Sequence, residues 1–543
     1  MRTKLAVVAC AAVVAGCGGG GGTGLVTPAG AVPTPTATPP GTGASTASVQ
    51  FTMHWPRYLP ASAVRRRPSF ISPSTLSLTL AIDGNVVATQ NAPSGGSLTT
   101  TITVPAPVAS DTFAIALYDQ PGGAGNLLGK VTVVQTIAAG FLNVVRATVN
   151  GQLAKIGIDP QSAFVEGSTA AGFTLVGDQA LPVALLPEDA DGNVIVMPGA
   201  IPALALSTSG SAITAAPDPS ANTFDLEAVA PAAAQSFVAS GTNLDGATVS
   251  TTFTVSALAA VYVAQYRTQK VLVYDELGTQ LPLAATLFAG ASNPQGVTFV
   301  PGSTPGSGRL VVTDATDSKV FEYDESGNLT APAGTFPGLD QPFFATYDSA
   351  SAAVLVPEYN DDVMSAYAIS GTALAAGPFA HLSQPVSAAF DPHASAVFVV
   401  NFGPATIAKY DSAGNPLVVG TAAPSAGPHP MGATFDSNND EIYVADAGYP
   451  VVELPEGGPP QPSTIAAFTE TDTAISNPGG GTSSFTGLTY ATDVVFDPYR
   501  KWLYVTDAGA NKTVAFNESG VSETLGPSPF PNQSEPEGIA LVP

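Results

Sequence analysis

Basic residues and cysteines are what this chain has least of. Its 543 residues hold 17 lysines and arginines against 42 aspartates and glutamates, a formal net charge of −25. Such an acidic balance argues against phosphate-backbone binding as the main task, so no nucleic-acid partner is expected. Charged residues make up only 11% of the chain, less than half the usual share. Two cysteines exclude a disulfide scaffold. The four histidines are His54, His381, His393 and His429, and none stands at metal-ligand spacing from another. No Gly-x-Ser-x-Gly elbow is present to raise a nucleophile. What the chain does have is 45% hydrophobic residues, enough to bury cores, and 55 glycines and 49 prolines to punctuate them. Its length suggests three or four domains.

The N-terminus reads as an export signal. Arg2 and Lys4 precede a short apolar core from Leu5 to Val14, too short to span a membrane as a helix. Small residues and a cysteine follow: Val14-Ala15-Gly16-Cys17. This order resembles the lipobox of bacterial lipoproteins. The resemblance implies cleavage after residue 16 and a diacylglyceryl group on Cys17. It also implies an envelope location facing outside the cytoplasm, with a lipid membrane as partner. Gly18 follows the cysteine where aspartate would retain the protein, so an outer membrane is implied if the host has one. Cys10 would leave with the signal. Residues 17–47 are mostly Gly, Pro, Thr and Ala, too poor in large apolar groups to offset the entropy of ordering. A disordered tether is expected there.

From 48 to 150 apolar residues alternate with polar ones, as in Val49-Gln50-Phe51-Thr52-Met53 and Leu76-Ser77-Leu78-Thr79-Leu80. Asp83-Gly84-Asn85 and Pro121-Gly122-Gly123 punctuate the runs. Half-buried antiparallel strands in a β-sandwich follow from that pattern. Arg65-Arg66-Arg67 is the one dense basic cluster, and a solvated loop is expected for it. A second all-β stretch covers 151–257. Its Leu185–Ile195 segment and Asp225–Pro231 resemble bacterial immunoglobulin-like domains. Asp189, Asp191 and Asn193 alternate as in a calcium loop, but the glycine and glutamate such a loop needs are misplaced, and a hairpin turn accounts for them.

After residue 257 the chain repeats. One phrase ends at Gln265, Asp314, Glu358, Asn401, Asp446 and Asp507, at spacings of 49, 44, 43, 45 and 61 residues. A period of about 40–50 in an all-β sequence signals propeller blades. A second phrase runs through Gly296-Val297-Thr298-Phe299, Ala388-Ala389-Phe390-Asp391 and their counterparts, also six times. The repeat opens on the second strand of a blade and closes at Leu541 on a first strand, so the last strand should complete the first blade. The phrases resemble six-bladed NHL and TolB-like propellers over 258–543. The expected fold is therefore all-β: two β-sandwich domains and a six-bladed β-propeller, behind a signal peptide and tether. In 258–543, about 29 acids face 8 bases, so the propeller holds most of the charge, partly as repeated turn aspartates.

Ligands of such propellers meet one mouth of the central channel. The residues leading into the innermost strands, Gln295, Phe343, Val386, Met431, Thr492 and Glu537, with Asp493 beside them, are expected to line it. Gluconolactonase-like members imply a divalent metal held there by a glutamate, asparagines and an aspartate. Glu537 and Asp493 alone offer too few oxygens for a hard cation, so no cofactor and no catalytic or metal-ligating set is assigned. His429, between two prolines, can approach the mouth. Blade five carries two long insertions, from Gly448 to Pro462 and from Ser476 to Tyr490. The first expectation is a binding or scaffolding lipoprotein with a protein or glycan ligand. The alternatives are a metal-dependent lactonase-like hydrolase and envelope polysaccharide binding by the middle domains.

Overall fold

The computed structural model describes residues 45–55, 71–93, 99–197, 199–284, 287–330, 336–375, 377–417, 427–448, 462–469, 485–525 and 529–543. The signal segment, Cys17, nearly all of the tether, Arg65–Arg67 and most of the two blade-five insertions lie outside these residues. Among the described residues no helix is long and apolar enough to cross a membrane.

The first sandwich packs two sheets. Thr46–His54 pairs antiparallel with Thr99–Pro107 and parallel with Asn143–Val144. The facing sheet orders Asn85–Asn91, Ser77–Ile82, Ser110–Gln120, Ala124–Thr136 and Asn150–Gly151. The period-two pattern sends Val49, Phe51, Leu80, Ile82, Val104 and Phe113 inward. Phe51 and Phe113 meet across the sheets at 5.6 Å.

Residues 155–258 form a second pair of sheets, one of five strands and one of four. Phe173, Phe237 and Phe253 stack in its core at 5.9 and 5.7 Å. Gly172 begins a strand that runs parallel to Thr248–Leu258, and a Cβ there would collide with the Thr254 carbonyl oxygen. Asp189 accepts the Asp191 and Asn193 N–H groups at 3.0 and 2.9 Å, so the calcium-like alternation is a hydrogen-bonded turn. The last strand of this unit, Thr248–Leu258, passes into Ala260–Gln265 with one residue between. Val255 and Ala257 share a continuous core with Tyr262 and Val271.

Six three-stranded sheets follow, and they are the blades of a β-propeller. In each, the innermost strand pairs with the strand of the first phrase, and that strand pairs with an outer one. A fourth strand is reduced to single bridges such as Tyr274 to Gln280 and Tyr323 to Leu329. Closure is as the order of phrases requires: Val261 faces Leu541 and Val263 faces Ile539, so Pro536–Val542 completes the first blade. No open edge remains where the ring meets itself.

A feature absent from the sequence reading ties five of the six blades to the connection that enters them. Phe288, Phe336, Phe379, Phe485 and Phe530 sit in those connections and pack on Tyr323, Tyr367, Tyr410, Phe516 and Tyr274 at 5.0–5.3 Å. Each of the four tyrosine hydroxyls then donates to a connection carbonyl: Ala289, Pro337, Ala380 and Pro531. Neighbouring blades are joined the same way, for Tyr262 donates to the Glu325 carbonyl and Tyr504 to that of Glu276.

Candidate functional site

The channel is built from the six innermost strands, and its chemistry is laid out in three rings. Each strand opens on a short motif, x-Pro-x-Gly in three blades. The residue before the proline position forms an outer ring: Asn293, Gln341, Gln384, His429, Tyr490 and Glu535, all half-buried. Its backbone is held by the residue after the first-phrase strand. Tyr359 N–H donates to Gln341 O, Phe402 to Gln384, Ala447 to His429 and Ala508 to Tyr490. Gln341, Gln384 and Glu535 take positive φ of 51°, 48° and 48°. That conformation is uncommon for non-glycine residues and concentrates where a site imposes it.

The phrase-ending acids make this arrangement possible. Asp314 accepts the Ser292 and Asn293 N–H groups at 2.7 and 2.9 Å, Asp446 accepts His429, and Asp507 accepts Thr489 and Tyr490. Glu358 and Asn401 hold Asp340 and Ser383 in the same way. These repeated acids clamp the segment entering the innermost strand of their own blade.

The second ring is the set expected from the sequence, and it divides. Gln295, Phe343 and Glu537 are half-buried and line the mouth. Thr492 is fully buried, its hydroxyl 3.0 Å from the Pro536 carbonyl and 3.1 Å from that of Glu537. Met431 is buried against Phe344 and Ala447, and Val386 is buried as well. These three back the mouth rather than line it, although they hold the same motif position: Met431 packs on Phe344 and Ala447, and Thr492 is held by strand carbonyls.

Asp493 lies one residue deeper, in a third ring with Gly296, Phe344, Ser387, Gly432 and Gly538. Glycines let the strands close in here. A Cβ at Gly432 would collide with the Asp493 carboxylate, and one at Gly538 would stand 2.6 Å from Gln295 O. Asp493 therefore sits at the waist and floors a cavity of about 390 Å³ on the far side, with Val297, Ala389, Thr434 and Ile539. Its oxygens accept Val494 N–H at 2.9 Å and Ile539 N–H at 3.0 Å. Loss of hydration nevertheless pushes its carboxyl up to about 8. Glu537 is also raised to about 8, by desolvation first and then by the charges of Glu535 and Asp493.

Opposite Glu537 the mouth is aromatic. Phe343 packs on Tyr359 at 5.3 Å and Tyr359 on Phe402 at 6.0 Å. Phe402 stacks on His429 at 5.2 Å with the rings 11° from parallel. His429 Nδ1 lies 2.8 Å from the Gly448 carbonyl, which fixes the ring. The crescent spans blades three to five, and Arg267 pairs with Glu535 on the other side. Such a mouth presents flat apolar faces on one side and amide and carboxyl groups on the other. His429 was read in the sequence as able to approach the mouth; Tyr359, Phe402 and the rest of the outer ring went unread. Their signal was present: each follows the phrase-ending acid or precedes the motif proline. Among the described residues no three His, Cys, Asp or Glu side chains gather to hold a metal.

No protein-family model matches the sequence, and no curated protein matches it. Solved structures do. A chain of a nidogen/laminin complex is 16% identical, with 52% of this chain and 98% of that one covered at a TM-score of 0.39. A catalytically inactive virginiamycin B lyase from Staphylococcus aureus, solved with quinupristin, is 14% identical over 62% and 96% at 0.32. A putative 6-phosphogluconolactonase from Bacteroides fragilis is 12% identical over 53% and 98% at 0.35. The propeller rests on the sheet topology, and likeness of this order adds no argument to it.

Proposed function

We propose that the protein is a lipid-anchored envelope protein whose propeller mouth binds a ligand with a flat apolar face and a hydrogen-bonding rim, a glycan being the class that fits best. The observation that carries this reading is the aromatic crescent of Phe343, Tyr359, Phe402 and His429 facing Gln295 and Glu537 across one mouth. Sugar rings offer a C–H face for such aromatics and hydroxyls for amides and carboxyls. The Val14-Ala15-Gly16-Cys17 sequence supports the anchor and the extracytoplasmic placement. The middle units, the second of immunoglobulin-like kind, would hold the propeller away from the membrane.

A glycan array probed with residues 17–543 carrying Cys17→Ser tests the reading. The expected result is selective glycan capture that falls about a hundredfold when Tyr359→Ala and Phe402→Ala are combined, since a buried aromatic contact is worth over 1 kcal/mol. Capture that the double variant retains would overturn it.

A lactonase-like hydrolase is the second reading. What favours it is Glu537, a mouth carboxyl whose pKa is raised to about 8 by desolvation and which so suits general acid work near neutral pH. Lactone hydrolysis lost in Glu537→Ala would support it. Unchanged activity in that variant would remove it.

A further inference from the structure

The two ends of the first sandwich are unlike. One end faces the rest of the molecule. There Asn150–Gly151 pairs with Lys130 and Gly129, and Lys130 and Gln152 both reach Asp245 of the second unit. The strand registers place three turns at the opposite end, while the Pro121-Gly122-Gly123 turn stays at the near one. Thr46 faces Pro107, Ile82 faces Asn85 and Phe113, Ser110 faces Thr136, and Val49 runs beside Asn143. So the Asp83-Gly84 turn, the Val108-Ala109 turn and the loop from Ile137 to Leu142 gather at the end farthest from the second unit. The chain coming from Cys17 also enters the fold there.

This far end exposes large apolar groups. Phe141 is 73% exposed and Leu142 61%, and Val86 and Val134 of the same unit are exposed as well. The loop that carries the first two is held firmly. Gly140 turns with φ 79°, and the buried Asn143 side chain accepts from Ala138 N–H and donates to the carbonyls of Ser48, Ala138 and Phe141 within 3.1–3.3 Å. A buried asparagine satisfied on both its oxygen and its nitrogen makes the exposure a built feature. No lysine or arginine occurs between Ile71 and Gly129.

We infer that this end is a membrane-docking tip, with Phe141 and Leu142 entering the interfacial layer of a phospholipid leaflet. The inference rests on the lipid-anchor reading for its geometry. Twenty-eight residues separate Cys17 from the first strand, a length whose fully extended span is at most about 95 Å. That keeps the tip within range of the leaflet and raises its effective concentration there, so a weak contact suffices. Two side chains on a loop are far short of the roughly 800 Å² per partner of a stable protein interface. They suit partitioning into lipid, where affinity follows apolar area without a complementary surface. The tip's lack of basic groups points to contact by apolar insertion rather than by attraction to anionic lipid.

The test uses residues 17–543 with Cys17→Ser, which carries no acyl chain, and neutral phosphatidylcholine vesicles. Co-sedimentation is expected, unchanged by high salt and reduced about tenfold in F141S/L142S. The double variant should melt at the same temperature, because both side chains are exposed and Asn143 is untouched. No sedimentation of the parent, or equal sedimentation of both, would overturn the inference. So would binding confined to anionic vesicles and removed by salt, which would move the contact to Arg65–Arg67. A dimer of the parent dispersed by the double variant would assign the tip to a second copy and overturn it too. Acyl labelling of Cys17 in cells is a separate readout. Unlabelled Cys17 with vesicle binding intact would remove the anchor and leave the tip.

Discussion

Asp493 joins the structural and the chemical sides of the channel. It fills the gap that Gly432 leaves at the waist and fixes the last innermost strand through Ile539 N–H. Burial holds its pKa near 8, far above the usual carboxylate value. A folded-state pKa above the unfolded one means the native protein binds the extra proton, so this contribution to stability is full below about 4 and is lost as pH rises towards 8. Asp493→Asn should therefore flatten the fall in melting temperature between pH 5 and pH 8. An unchanged slope by calorimetry at the two pH values would contradict the assignment. Asp493 was visible in the sequence as a neighbour of Thr492. Its depth was not, because strand alternation decides it and a single-residue step moves a side chain from mouth to waist. Thr492 shows the converse: named as a mouth residue, it is buried against Thr506 and two strand carbonyls.

At the scale of elements, the recurring Phe–Tyr clamp explains how short three-stranded sheets hold their places. Each connection must cross from an outer strand to the next innermost strand, and in four blades a buried phenylalanine with the tyrosine hydroxyl pins it. Phe379→Ala should cost about 3–5 kcal/mol through the cavity it leaves. Tyr410→Phe should cost about 1 kcal/mol by leaving the Ala380 carbonyl without its donor. Denaturant unfolding of both variants checks the ratio; equal losses would mean the hydroxyl rather than packing carries the clamp. The blade strands were legible because their apolar runs and terminal acids recur at nearly constant spacing. The phenylalanine recurs as well, but in connections of changing length, where no fixed period exposes it. The recurring acids were legible as turn aspartates, and the structure adds which backbone N–H groups they hold.

At the scale of the whole molecule, the second unit and the propeller share one core, and acids line their junction. Glu166 meets Asp275, and Glu325 meets Asp178; in each pair the glutamate's pKa is raised, by burial first and then by its carboxyl neighbour. Oxygens of Glu166, Asp178 and Glu325 lack hydrogen-bond partners. The sign is that of Asp493: stability present when these groups are protonated is lost as pH rises. Combining Glu166→Gln with Glu325→Gln should make the protein more resistant to proteolysis at alkaline pH and leave it unchanged at pH 5. Greater sensitivity at alkaline pH would contradict this. None of these pairs was legible in the sequence, since each joins residues about 110–150 positions apart in different units. The central claim remains the propeller mouth. Its most direct test is hydrogen exchange of the whole chain with and without a glycan captured on the array. Protection of backbone amides at 341–344, 358–360 and 401–403 is predicted; protection confined to the sandwiches or to the blade-five insertions, with the mouth unchanged, would contradict the account.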